Sequence, residues 1–133
     1  MFYETISVNS RKREDLIDVT TKLKKVLRKA EIKNGKMTVF IPHTTAAVTI
    51  NENADPDVPR DIIHALGKII PHNFGFKHRE GNSDAHTKSS LVGCSQDILI
   101  RDSNLVLGTW QGIFFCEFDG PRSRNMHIAI FSD

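Results

Sequence analysis

Two observations in this sequence predict an α+β fold with mostly antiparallel strands and about three helices. Stretches of helical period fall between stretches that alternate apolar and polar residues. From residue 97 onward, short strand-like runs follow one another at hairpin spacing. A third observation concerns the layers. Three helices are too few to cover both faces of so many strands, so one strand-rich surface is expected to meet a second sheet or a neighbouring subunit.

Taken in order, Phe2 to Val8 alternates and reads as a strand. From Ser10 to about Ala30, the residues Leu16, Val19, Leu23, Val26, Leu27 and Ala30 recur at helical spacing. Lys12, Arg13, Lys22, Lys25, Arg28 and Lys29 take much of the other surface, which makes an amphipathic helix whose basic face is expected to be solvated, with RNA or an acidic partner as the alternative. Asn34-Gly35 marks a turn. Met37 to Ile41 is a strand stopped by Pro42, and Ala46 to Ile50 is the next. Asn51 to Asp57 is a polar loop. Ile62, Ile63, Leu66, Ile69 and Ile70 form the stripe of a second helix, with Pro59 tolerated in its first turn and Pro71 ending it. Pro71 to Gly81 shows no period, and an unstructured loop of that length in a small domain is commonly a site loop or lid.

Gly81 to Gly93 is the polar stretch around which the chain is organised. Asn82 or Ser83 is placed to cap its first turn, Asp84 suits the positive end of a helix, and Gly93 is a natural stop. His86 falls in the first turn, where the helix dipole favours a neutral imidazole. Strands are then expected at Asp97–Arg101, Asn104–Leu107, Gly112–Phe118 and Met126–Phe131, with a turn at Asp119-Gly120-Pro121.

At 133 residues the chain reads as one domain spanning residues 1–133, long enough to bury a core without staples. Apolar residues make up 39% and charged residues 26%, as in ordinary globular proteins. A net charge of +2 is too small to argue for nucleic acid. No apolar run reaches the length of a membrane span, and Met1-Phe2-Tyr3-Glu4 lacks a signal-peptide plan, so a cytoplasmic protein with no membrane partner is expected. Cys94 and Cys116 show no metal spacing, and Cys116 reads as a free buried thiol.

Three sets of residues have chemistry to offer. His43 follows a strand end, His78 lies on the long loop with Glu80 nearby, and His86 starts the polar helix. If these imidazoles converge, they would hold a divalent metal, with zinc expected, and leave a position for water or substrate. The spacing alone does not force that, because the i, i+4 pairing of a helical zinc motif is absent. Arg122 and Arg124 follow the Asp119-Gly120-Pro121 turn two residues apart, and guanidinium forks match phosphate. Thr44 and Thr45 add hydroxyls beside His43. Glu117 lies on a largely apolar strand, where it needs either an arginine partner or a proton to trade.

Read together, Pro42-His43-Thr44-Thr45-Ala46-Ala47-Val48-Thr49-Ile50-Asn51-Glu52, Gly81-Asn82-Ser83-Asp84-Ala85-His86, Gly108-Thr109-Trp110-Gln111-Gly112-Ile113 and Glu117-Phe118-Asp119-Gly120-Pro121-Arg122-Ser123-Arg124 resemble the YjbQ-like family, often labelled secondary thiamine-phosphate synthase. The resemblance covers essentially the whole chain. It implies an α+β sandwich assembled as a homotrimer, with polar sites near subunit boundaries. It also implies thiamine-phosphate synthase activity as a side reaction: hydroxymethylpyrimidine diphosphate joins a thiazole phosphate and pyrophosphate leaves.

The expected function is therefore that of a small-molecule enzyme acting on phosphorylated substrates. His43, His86 and Glu117 are its catalytic candidates. Thr44, Thr45, Asn82, Arg122 and Arg124 are its candidates for the anion, and His43, His78 and His86 for the metal. The alternative is a non-catalytic trimeric module that binds a metal, an anion or a protein.

Overall fold

The computed structural model describes residues 1–133 and has three helices and eight strands. The strands are β1 (Phe2–Asn9), β2 (Asp15–Asp18), β3 (Gly35–Phe40), β4 (Ala46–Glu52), β5 (Ser95–Arg101), β6 (Asn104–Leu105), β7 (Gln111–Glu117) and β8 (Ser123–Ser132). The helices are α1 (Thr20–Ala30), α2 (Asp57–Ile69) and α3 (Ser83–Val92). One sheet has the order β1-β8-β3-β5-β6 and the other β2-β7-β4, and every ladder is antiparallel. The chain thus has the α+β, mostly antiparallel fold its patterning predicts, arranged as the sandwich the family resemblance implies. No helix is long and apolar enough to cross a membrane.

The alternation of each strand decides the layers, because successive side chains point to opposite faces. Inward residues of the larger sheet (Val8, Met37, Val39, Ile98, Ile100, Met126, Ile128, Ile130) meet Val48, Ile113 and Phe115 of the smaller one. Val19, Leu23, Val26 and Leu27 close that core from α1. The other face of the smaller sheet, with Leu16, Ala47, Phe114 and Cys116, takes Ile62, Ile63 and Leu66 of α2 and Ala85 of α3. The outer face of the larger sheet carries no helix, and it exposes Tyr3, Phe40, Leu99 and Phe131.

Two expectations fail here for identifiable reasons. The helix read from Ser10 begins only at Thr20, and residues 15–18 form β2 instead. Leu16 pairs opposite Cys116 and enters the core under α2, whereas Leu23 and Val26 enter the core between the sheets. A helical period merged two segments that serve different cores. Asp18 is the true start signal, since its carboxylate accepts from the Thr20 backbone N–H at 2.9 Å and the Thr20 hydroxyl at 2.6 Å. The strand expected over Asn104–Leu107 is only the two-residue β6.

Candidate functional site

The site lies where four chain segments meet beside the end of β3. Pro42 stops that strand and turns the chain so that His43, Thr44 and Thr45 lie beside the start of β8. At Gly120 the segment from Ser10 to Arg13 crosses so closely that a Cβ would collide with the Lys12 carbonyl oxygen and the Ser10 hydroxyl. The glycine therefore lets the arginine turn pack against that crossing segment, with its own N–H donating to the Arg13 carbonyl at 2.9 Å. Gly93 ends α3 at a φ of 100°, a conformation few other residues adopt.

A cavity of about 480 Å³ opens there, lined by Pro42, His43, Thr44, Thr45, His78, Glu80, Asn82, His86, Arg122 and Arg124. No hydrophobic side chain lines it. The structure thus brings together all three histidines, both threonines, Asn82 and both arginines. Glu117 is absent from the lining. It is fully buried behind Arg124.

Arg124 is nearly buried, on the inward face of β8 with Met126 and Ile128. Its Nε donates to Glu117 Oε1 at 2.9 Å and its Nη2 to Oε2 at 2.5 Å. Nη2 also donates to Thr45 Oγ1 at 2.8 Å. Ser10 Oγ donates to Glu117 Oε1 at 2.6 Å, and the Asp119 N–H to Oε2 at 3.0 Å. Burial alone would favour the protonated carboxyl, but these donors outweigh it and hold Glu117 below the usual carboxylate range. Glu117 is therefore an ionised anchor for Arg124 and not an acid with a proton to give.

Arg122 is held in a parallel way. Its Nε donates to the Asp119 carbonyl and its Nη2 to Asp119 Oδ2, both at 2.7 Å. The fork expected to clasp an anion is in both arginines turned onto an acidic residue of the protein: the Glu117 carboxylate for Arg124, and the backbone carbonyl and carboxylate of Asp119 for Arg122. What each leaves unpaired within the chain is Nη1. Asn82 also departs from expectation: its side chain caps nothing, and its Nδ2 donates to Asp119 Oδ2 at 2.9 Å. Asp119, read only as a turn residue, thus orients two lining residues.

Among the histidines, His43 is half-buried and its Nε2 accepts the Asn125 backbone N–H at 2.9 Å. Burial and the charge of Arg124 hold it below the ordinary imidazole value. His78 meets His86 edge to face with ring centroids 5.5 Å apart, and His78 Nε2 lies 3.8 Å from Glu80 Oε1. No three His, Cys, Asp or Glu side chains are grouped at metal-holding spacing. As arranged, the three-histidine zinc site is not assembled. Trp110 is largely exposed and lies outside the cavity lining.

A second polar cluster supports α3 from behind. Asp84 is buried and takes both Arg13 Nη1 and Nη2, at 3.2 and 3.1 Å. His72 Nδ1 lies 3.2 Å from Asp84 Oδ1, and the buried Lys88 amine lies 2.7 Å from Glu14 Oε2 and 3.6 Å from Asp84 Oδ2. Burial opposes the charge on Asp84, but Arg13, His72 and Lys88 together hold it below the usual range. The cluster fixes the helix that carries His86 and the base of the loop that carries His78. Read as helix polarity, Asp84 gave no hint of it.

These features define a class: a two-sheet α+β protein with a wholly polar, arginine-bearing cavity. The chain belongs to the UPF0047 protein YjbQ-like family, whose model matches residues 4–133. The UPF0047 protein MJ1081 of Methanocaldococcus jannaschii is 54% identical over 126 residues, 95% of this chain and 91% of that protein. YugU of Bacillus subtilis is 45% identical, covering 96% of this chain and 97% of its own length. The crystal structure of a YjbQ/UPF0047 family protein from Clostridium acetobutylicum is 49% identical, with a TM-score of 0.94 over 96% of this chain and 99% of that one. The hypothetical protein APE1520 of Aeropyrum pernix K1 superposes with a TM-score of 0.96 at 34% identity, with full coverage of both chains.

Proposed function

We propose that this protein binds a small phosphorylated molecule in the histidine–arginine cavity and acts on it as an enzyme. One observation carries the reading: two arginines, each oriented by an acidic residue through Nε and Nη2, both leave Nη1 free where they line the same apolar-free cavity. Pre-oriented cations of that kind bind oxyanions and stabilise charge that develops on a leaving phosphate. The volume of about 480 Å³ falls within the usual range for small-ligand sites. His78, His86 and Glu80 supply groups that exchange protons at the same cavity.

The finer reading is the thiamine-phosphate synthase reaction. The C–O bond of hydroxymethylpyrimidine diphosphate would break as the thiazole nitrogen forms its C–N bond, and pyrophosphate would leave onto Arg122 and Arg124. The arginines support this reading. A single chain offers no apolar wall for either heterocycle, so neighbouring subunits would have to complete the site.

The test is calorimetric titration of pyrophosphate into wild type and Arg122→Lys. Lysine keeps the charge but loses both the Asp119 clamp and the aimed Nη1, and a charge-assisted contact is worth about 1.5–3 kcal/mol, or roughly one to two decades of affinity. Equal affinities would sink the anion site. Tight binding without turnover of the two thiamine precursors would favour the alternative, a binding module without catalysis. A divalent ion such as zinc would need His78, His86 and Glu80 to draw together, because no three such side chains stand at metal-holding spacing, and once bound it would supply Lewis-acid polarisation of a phosphoryl oxygen. Alanine at His86 is then expected to lower metal content.

We propose further that the protein is a homotrimer. The uncovered sheet face exposes Tyr3, Phe40, Leu99 and Phe131, and large apolar residues gathered on one face favour burial against another copy. Light scattering is expected to give three times the 15.0 kDa chain mass. A monomer mass at micromolar concentration would rule the trimer out.

A further inference from the structure

We infer that His43 serves the cavity as a neutral hydrogen-bond donor, presenting Nδ1–H to an oxygen of the bound anion, and not as a base or a metal ligand. The inference rests on the anion reading above and assigns a role within it.

The argument starts at the end of a strand. β3 pairs with β8 from Gly35 opposite Ser132 to Phe40 opposite His127, and the same register would next set Pro42 opposite Asn125. Pro42 ends the strand instead. The Asn125 N–H still needs an acceptor, and the imidazole of the next residue supplies one, taking that N–H on Nε2 at 2.9 Å. His43 thus completes the ladder with its ring.

An imidazole whose Nε2 lone pair is engaged by an N–H carries its proton on Nδ1 when neutral. The charged ring is disfavoured, because protonated Nε2 would turn its hydrogen against that of Asn125. A metal at Nδ1 is disfavoured for the same reason, since a metal-bound neutral imidazole must be protonated at its other nitrogen. Nδ1 has no partner within the chain, and His43 lines the cavity beside Thr44, Arg122 and Arg124. The groups that these lining residues have left for a ligand are donors: an imidazole N–H, a hydroxyl and two guanidinium Nη1 groups. A ligand atom that satisfies all of them is an oxyanion such as a phosphate or pyrophosphate oxygen.

Two measurements test the role. Nitrogen-15 NMR of the wild-type imidazole at neutral pH is expected to show Nδ1 protonated and Nε2 bare. An Nε2–H tautomer, or a metal-bound Nδ1 after zinc addition, would overturn the inference whether or not any variant folds. In the second, pyrophosphate is titrated into His43→Asn and His43→Leu. Both lose the acceptor for Asn125, so a purely structural role predicts equal losses. Asparagine places an amide N–H near the Nδ1 position, so it is expected to stay within about twofold of wild type, while leucine loses about three- to tenfold. Equal loss in both, or none in leucine, would overturn the donor role alone. A wild type that does not bind pyrophosphate would instead overturn the anion reading on which it rests.

Discussion

Replacing Glu117 by alanine is expected to lower the unfolding free energy by about 3–5 kcal/mol. The carboxylate is fully buried and receives Arg124 through two guanidinium nitrogens, together with Ser10 Oγ and the Asp119 N–H. Removing it leaves a guanidinium in the core with only Thr45 to hold it, and an uncompensated buried charge is far costlier than a lost surface pair. The ordinary stability of a domain is about 5–15 kcal/mol, so the variant approaches the edge of folding. Denaturant titration checks this, and a loss below about 1 kcal/mol would place the pair in the class of exposed ion pairs. Replacing both partners, as Glu117→Leu with Arg124→Met, is expected to recover much of the loss while abolishing pyrophosphate binding. That result would separate the role of Glu117 in folding from its role in aiming Arg124.

The second large effect is expected at Asp84, where alanine should cost about 3 kcal/mol or more. Arg13 and Lys88 would then face each other with Glu14 as their remaining carboxylate. Asp84 and Glu117 both titrate below their ordinary values in the folded chain. A carboxyl depressed by folding contributes stability that is present above its unfolded value and is lost as pH falls through its folded value. Unfolded carboxyls titrate near 4, so stability is expected to hold at neutral pH and to fall progressively below about pH 4. In the Asp84→Ala variant that acid-side slope should be shallower. An unchanged slope would show that Asp84 does not carry the linkage.

Much of this architecture is legible in residue patterns because single-face alternation and single-core stripes carry it. β1, β3, β4, β7 and α2 were found this way. β2 was not, since its Leu16 and the Leu23 of α1 continue one helical period while belonging to different cores. The cavity is a different case. Arg122 and Arg124 were singled out from the turn before them, and His43 from the strand stop at Pro42. That these lie beside His78 and His86 depends on α3 and its preceding loop folding back across the smaller sheet, which no local spacing encodes. No local pattern marks the network that Arg13, Glu14 and His72 form around the buried Asp84 and Lys88. Its members lie far apart in sequence, and each taken singly looks like ordinary surface charge.

The arginine pair also shows what a motif leaves undetermined. Two arginines after a turn suggested two open forks. In the folded chain each fork is mostly spent on an acidic neighbour, and the part left to a ligand is one nitrogen apiece. A guanidinium held in this way loses less freedom on binding, so a smaller contact area still yields a directed site.

The central claim is that this cavity holds a tetrahedral oxyanion, and the most direct measurement is anomalous diffraction from crystals grown with tungstate. A tungsten peak is expected within the cavity, its oxygens in hydrogen-bond reach of Nη1 of Arg122, Nη1 of Arg124 and Nδ1 of His43. A cavity without a peak, in crystals where tungstate has settled instead among Lys22, Lys25 and Lys29 on the open face of α1, would contradict it.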